Sequence, residues 1–297
     1  MKRLLKGVIS ILVVVLFLSF SNCSILEVCA DTASDGTTET VTEAATEAAK
    51  TDYEQGIKIR VGDKKKFTRK IKGKFSEKNG LTVFTPADKK TFKGGFFTVG
   101  KRVYHSNKKG ILDKGWKKIK GHYYHFDRKN GQMAMSATVE SIKVDKLGTA
   151  KETDSTVARI NTYISARKIM EKVTKPSDSK ADKLYKCYKW VEALPYNQYR
   201  TFEKGYAEYK DDWDVVFAND IFKNRQGCCV SESAALAFLA KECGYEDVYV
   251  CSDTGHAWAK IDGRLYDPLF AEAKSFADNY NAPFTDYRSN AAYKKKI

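Results

Sequence analysis

Between Tyr53 and Met135 the chain has no cysteine and only 6 acidic residues, against 23 Lys+Arg. A stretch so short of negative charge repels cations and attracts anionic polymers. Its net +17 accounts for nearly all of the protein's excess charge, because residues from Ser136 onward carry 25 basic and 24 acidic side chains. The seven cysteines lie elsewhere, with no Cys-x-x-Cys pair and no histidine at metal spacing. That argues against a zinc site, and no metal or organic cofactor is implied. Large apolar residues are almost missing from Asp31 to Asp52, a Thr-, Glu- and Ala-rich stretch. It cannot bury a core and is expected to be a disordered linker. The run Val8 to Phe20 is too short for a stable membrane span, and no other stretch is long and apolar enough to cross a bilayer.

Lys2, Arg3 and Lys6 precede that run, and Val28-Cys29-Ala30 follows it. This is the layout of a secretory signal peptide over residues 1–30. Cys23 follows Ser21-Asn22 and lacks the small residue usual before a lipidated cysteine. The mature protein is therefore expected to be secreted, with no membrane span after cleavage. Nucleic acid is a poor partner for an exported chain.

The basic segment, residues 53–135, repeats. Gly95-Phe96-Phe97-Thr98-Val99-Gly100 leads through Val103-Tyr104-His105 to Gly110, and Gly115-Trp116-Lys117-Lys118-Ile119-Lys120-Gly121 leads through Tyr123-Tyr124-His125-Phe126 to Gly131. A weaker echo runs from Lys70 to Gly80. Such a period marks stacked β-hairpins. The units resemble the cell-wall-binding (choline-binding-type) repeats of Gram-positive surface proteins. His125 is inserted between the Tyr pair and Phe126, and Phe96 replaces Trp in the earlier unit. The resemblance implies wall contacts from Phe96, Tyr104, Trp116, Tyr123, Tyr124 and Phe126. A choline site needs an aromatic cage around a cation, whereas this segment is short of cage positions and is itself cationic. The expected ligand is an anionic wall polymer, teichoic acid foremost. The plainer reading is a β-rich spacer with a solvated basic face.

From Thr153 the apolar period becomes helical. One helix carries Val157, Ile160, Tyr163, Ile164, Ile169, Met170 and Val173 and ends before Pro176; a second spans Ala181 to Leu194. Tyr199 to Asp214 reads as a polar, aromatic loop, and Val215 to Phe222 as a third, short helix. Val230, Ala234, Ala235, Phe238 and Leu239 then recur at helical spacing, with Gly244 as the stop. Cys228 and Cys229 thus stand at a helix N-terminus, where unpaired N–H groups and the helix dipole favour a thiolate. Val248 to Cys251 and His256 to Ile261 read as strands, and Asp262-Gly263 as a hairpin turn. That register pairs Ile261 with Arg264, Trp258 with Asp267 and His256 with Leu269, and sets His256 and Asp267 on one face. Thiol, imidazole and carboxylate together equip a site for acyl transfer. Each alone also fits a structural role: a buried cysteine, a satisfied histidine, a turn aspartate.

Gly227-Cys228-Cys229, Gly255-His256-Ala257-Trp258 and Asp262-Gly263-Arg264-Leu265-Tyr266-Asp267-Pro268 resemble the blocks of the transglutaminase-like superfamily, which has papain-like thiol chemistry. The resemblance implies an α+β papain-like domain over residues 136–297, with N-terminal helices and a nucleophile helix packed on an antiparallel sheet. It implies Cys229 as nucleophile, His256 as base and Asp267 as its orienter. The backbone N–H of Cys229 and the side chain of Gln226 are the expected oxyanion donors. The substrate would be a peptide or protein amide. Hydrolysis (cysteine protease or amidase) and transamidation both remain open. The rival from another class is a non-catalytic wall or surface-protein binding module.

Overall fold

The computed structural model describes residues 55–89, 92–253, 255–284 and 291–297. The signal-peptide, cleavage-site and linker readings, with Cys23 and Cys29, lie outside the described residues. The described residues fall in one compact unit.

Ten short strands open it: β1 (Gln55–Val61), β2 (Lys64–Lys70), β3 (Gly73–Lys78), β4 (Leu81–Pro86), β5 (Gly95–Val99), β6 (Arg102–Ser106), β7 (Gly115–Ile119), β8 (His122–Phe126), β9 (Ala137–Val139) and β10 (Ile142–Val144). They form antiparallel hairpins in sequence order. The two repeat units fold alike, Gly95 pairing with Ser106 and Gly115 with Phe126. Asn79-Gly80, Lys120-Gly121 and Glu140-Ser141 occupy the turns with positive φ at both positions, as a two-residue hairpin turn demands. The weak echo is the β3–β4 hairpin. The β9–β10 hairpin extends the series beyond the repeats legible in the sequence. A parallel contact between β2 and β5 joins two hairpins into a four-stranded sheet.

Six helices follow: α1 (Asp154–Val173), α2 (Lys180–Glu192), α3 (Phe202–Tyr209), α4 (Trp213–Asn224), α5 (Cys229–Glu242) and α6 (Pro268–Ala273). Thr153 caps α1 reciprocally with Thr156, and Ser179 caps α2 through the Asp182 N–H at 3.0 Å. The stretch from Tyr199 to Asp214, read as a loop, contains α3. Its apolar stripe is too sparse to register as a period: Phe202 and Gly205 are its buried residues. Phe202 docks between Trp213 and Tyr293, at ring distances of 5.1 and 4.7 Å.

The strands β11 (Val248–Ser252), β12 (Ala257–Ile261), β13 (Arg264–Tyr266), β14 (Tyr280–Ala282) and β15 (Tyr293–Lys296) make an antiparallel sheet in the order β14-β13-β12-β11-β15. Helix α5 is buried along almost its whole length. Its Ala234, Leu236 and Phe238 share a core with Tyr163 and Tyr188 of the flanking helices and Val250 and Ala259 of the sheet. Each large side chain buried there contributes roughly 1.5–3 kcal/mol. Trp116 and Tyr123 of the hairpins enter the same core. The architecture is thus mixed helix and antiparallel sheet with a series of β-hairpins. Among the described residues no helix is long and apolar enough to cross a membrane.

Candidate active site

Helix α5 begins at Cys229, with Cys228 as its N-cap residue and no side-chain cap hydrogen bond. Gly227 is needed just before it, because a Cβ there would lie 2.4 Å from the Ser231 Cβ. The chain after α2 docks on this point: Asn197 N–H donates to the Gly227 carbonyl at 2.8 Å, and Tyr196 pairs with Gly227. The two thiols face different surroundings. Cys228 is buried and its sulfur lies 3.7 Å from Ser231 Oγ, which donates to Asp220 at 3.0 Å. Cys229 is only half-buried and receives the Ala257 N–H, from the residue next to His256.

The two thiols contact each other and share one ionisation. The Cys229 contact, with N–H groups of Ser231 and Val230, pulls the Cys228 thiol down to about 6, against an opposing effect of burial. The same contact, then burial, pushes Cys229 up. Two adjacent sulfurs cannot both ionise at one helix end, so the pair can carry a single thiolate.

His256 immediately precedes β12. Asp253 Oδ1 accepts from the N–H groups of Gly255 and His256 at 2.7 and 2.6 Å, fixing the loop. Nε2 of His256 lies 2.7 Å from Asp267 Oδ2, and Asp267 is fully buried. A carboxylate only accepts, so Nε2 carries the proton and Nδ1 is left as the basic nitrogen. Phe270 lies flat on the imidazole, ring centroids 3.8 Å apart and planes at 11°.

The route to this contact differs from the expected one. Ile261 does pair with Arg264, and Asp262-Gly263 makes the turn. The strand then stops at Tyr266, and His256 does not pair with Leu269. Pro268 opens α6, and Asp267 is its N-cap, Oδ1 accepting the Phe270 N–H at 3.1 Å. Proline has the right φ for a first helical position and no N–H to satisfy. The Tyr188 hydroxyl lies 2.9 Å from both the Asp267 and Asn279 carbonyls.

Cys228, Cys229 and His256 line one cleft of about 210 Å³, with Gln198, Phe202 and Asp253 among its walls. Gln226 is not in that wall; its amide donates to the Tyr199 hydroxyl. The side-chain oxyanion role expected of it has no geometric support. Two groups escaped the sequence reading. One is Phe270, three residues past Asp267 and brought over His256 by the α6 turn. The other is Glu232, on the first turn of α5, whose carboxyl is pushed up to about 9 by burial and then by the charges of Asp267, Glu272 and Cys228. Its helical spacing from Cys229 was the available signal.

Of the six ring positions expected to contact the wall, Tyr104, Trp116, Tyr123, Tyr124 and Phe126 are buried and Phe96 is half-buried. They build core rather than a ligand surface. The inserted His125 is also core: it packs edge-on against Trp116 at 5.0 Å. Burial, followed by Arg128, lowers its pKa to about 3. The hairpins expose much charge, including Lys64, Lys65, Lys66, Lys101 and Arg102, and the two rings Phe67 and Phe75. No group of three His, Cys, Asp or Glu residues could hold a metal among the described residues.

Parts of the chain are similar to solved structures at low identity. The choline binding domain of Spr1274 from Streptococcus pneumoniae is similar over 27% of this chain and 96% of its own, at 18% identity and a TM-score of 0.23. Choline binding protein F of the same organism, solved with a tetrasaccharide-pentapeptide peptidoglycan analogue, is similar over 32% of this chain and 30% of its own, at 17% identity and a TM-score of 0.23. CbpJ from Streptococcus pneumoniae TIGR4 matches over 33% of this chain and 41% of its own, at 15% identity and a TM-score of 0.15. Similarity at this level carries no activity across. No protein-family model and no curated protein matches the chain.

Proposed function

We propose that this is an exported, wall-associated protein in two parts: a basic hairpin segment that binds an anionic wall polymer, and a transglutaminase-like, papain-like thiol domain that transfers acyl groups. The observation that carries the catalytic half is the 2.7 Å contact of His256 with buried Asp267 on the cleft that Cys229 lines. In this reading Nδ1 of His256 takes the proton from the thiol pair. Cys229, the more accessible sulfur, attacks a peptide or carboxamide carbonyl. The Cys229 N–H stabilises the oxyanion, and His256 returns its proton to the leaving amine. Water then releases an acid, or an amine forms a new amide. Asp267 holds the ring in the tautomer this needs.

The binding half is supported by the exposed basic face of the hairpins and by the resemblance of these segments to choline-binding repeats. An anionic polymer such as teichoic acid fits that face, since most of the rings a cation cage would use are internal. The second reading is a purely binding module. The catalytic half rests on site geometry.

The test exposes wall peptides and surface proteins to the wild type, Cys229→Ala and Cys228→Ala, with mass spectrometry of the products. A gain of about 1 Da for each carboxamide hydrolysed to an acid, a cleaved peptide, or a cross-link should vanish in Cys229→Ala and persist in Cys228→Ala. No product with any sample, and no selective iodoacetamide labelling of Cys229, would leave the binding module as the function.

A further inference from the structure

Cys187, in the middle of α2, and Cys243, at the C-terminal cap of α5, bring their sulfurs to 3.8 Å inside the main core. They are 56 residues apart in sequence, and both are free thiols in the structure. Bond formation requires the sulfurs to close to about 2.05 Å, a small rotation for side chains already facing each other. Cys251 has no sulfur neighbour among the described residues. Cys228 and Cys229 contact each other and belong to the site above.

We infer that Cys187 and Cys243 form a structural disulfide in the mature protein, stapling the far end of the nucleophile helix to the helix that supports Asp267. The inference draws on the exported reading only for its oxidising setting. Access is built in. Cys243 is 8% exposed and lines a cavity of about 210 Å³, whereas Cys187 behind it is fully buried. A small disulfide such as oxidised glutathione reaches Cys243 first. The Cys243 thiolate attacks one of its sulfurs and expels one glutathione thiolate, leaving a mixed disulfide. The Cys187 thiolate attacks the Cys243 sulfur and expels the second. Two protons and two electrons leave the protein, and the small disulfide is reduced to two thiols.

The position of the bond gives it a use. Tyr188, next to Cys187, holds the Asp267 carbonyl. Helix α5 carries Cys229 at its other end. A bond at Cys187–Cys243 fixes these two helices against each other. It also removes two reactive thiols, leaving the cleft pair to react.

The full chain would be unfolded, refolded with reduced and oxidised glutathione, alkylated with iodoacetamide and digested without reductant. A cross-linked pair of peptides holding Cys187 and Cys243, lighter by two hydrogens than the separate thiol peptides, is the expected product. Reductant should lower the Tm of the wild type by roughly 5–10 °C and leave Cys187→Ala unmoved. Both cysteines carbamidomethylated after oxidative refolding, or a bond to Cys251 or to the cleft pair, would overturn the assignment. Cys229→Ala should give the same cross-link, which separates this outcome from that of the catalytic reading. If Cys187→Ala fails to fold, the wild-type peptide map still decides.

Discussion

Arg128, on the turn that follows β8, reaches Glu242, the last residue of α5, at 2.6 Å. The same arginine holds Glu140 of the β9–β10 turn at 2.6 Å, and Arg167 of α1 binds the other oxygen of Glu242. The Glu242 side chain has no solvent exposure. The hairpin series is therefore joined to α5 by a buried ionic cluster and not by a loose tether. Trp116 and Tyr123 reinforce the joint by entering the helical core.

Removing one member of such a cluster leaves its partners charged and buried. Glu242→Gln is expected to destabilise the protein by about 3–5 kcal/mol, measured by urea unfolding. Burial alone would raise the Glu242 pKa, but Arg128 and Arg167 outweigh it and hold the carboxyl below its usual range. A depressed folded pKa contributes stability above the unfolded value, about 4.3, and loses it as the pH falls through the folded value. Wild-type stability should thus drop in acid through this group, and Glu242→Gln should lack that part of the drop. Wild-type-like stability of the variant at pH 7 would show that the cluster contributes little.

The shared core also dictates how wall binding is tested. Residues 53–135 alone would expose Trp116 and Tyr123, so the full chain is the right sample, with Cys229→Ala to silence chemistry. Its sedimentation with Gram-positive walls should weaken as salt rises, because screening shortens the reach of the exposed lysines. Walls stripped of teichoic acid should retain much less of it. Binding that is indifferent to salt, or to stripping, would remove the anionic polymer as ligand.

Much of the site was legible because local rules set it. Asp262-Gly263 demanded a tight turn, and the small residues after Cys229 demanded a buried helix. The register failed one residue beyond Tyr266, where Asp267-Pro268 is also a helix start; a strand reading and an N-cap reading compete there, and burial of α6 decides. The hairpin rings were misassigned for a different reason. Tyr123 and Tyr124 point to opposite faces of β8, and a sheet with one wet face would expose one of them. Here both faces are covered: Tyr123 enters the helical core and Tyr124 the hairpin core. Which faces are covered depends on tertiary packing, which strand periodicity does not encode.

Asp267 has two tasks, one per oxygen: Oδ2 orients His256 and Oδ1 caps α6. Asp267→Asn can keep the cap through its amide oxygen, but then it points an N–H₂ group at Nε2. The imidazole must turn to the other tautomer, with its proton on Nδ1, where the thiol needs a base. Activity is expected to fall by about 10⁴-fold with little change in Tm. Near wild-type turnover in a well-folded Asp267→Asn protein would show that another group orients His256.

Glu232 lies behind the site, 2% exposed, with buried Oε2 lacking a hydrogen-bond partner. Burial, then Asp267, Glu272 and Cys228, push its pKa up to about 9, so it is a neutral acid at pH 7. A raised folded pKa means that its stabilising effect is complete below the unfolded value, about 4.3, and is lost as the pH rises through about 9. Keeping this proton at neutral pH costs on the order of 3 kcal/mol relative to pH 4. Glutamine has the same shape and no such cost. Glu232→Gln should therefore be more stable than wild type at pH 7–8, and the gain should shrink towards zero near pH 4. The measurement is urea unfolding of both proteins across that range. The same substitution preserves a neutral group behind Asp267, so the rate at pH 7 should stay within a few-fold of wild type. Above pH 9 wild-type Glu232 ionises and places a second anion beside Asp267, while the variant does not, so their pH–rate profiles should separate only on the alkaline side. A gain in stability that is flat from pH 4 to pH 8 would mean that Glu232 is ionised throughout, and that the core behind the triad already holds two carboxylates.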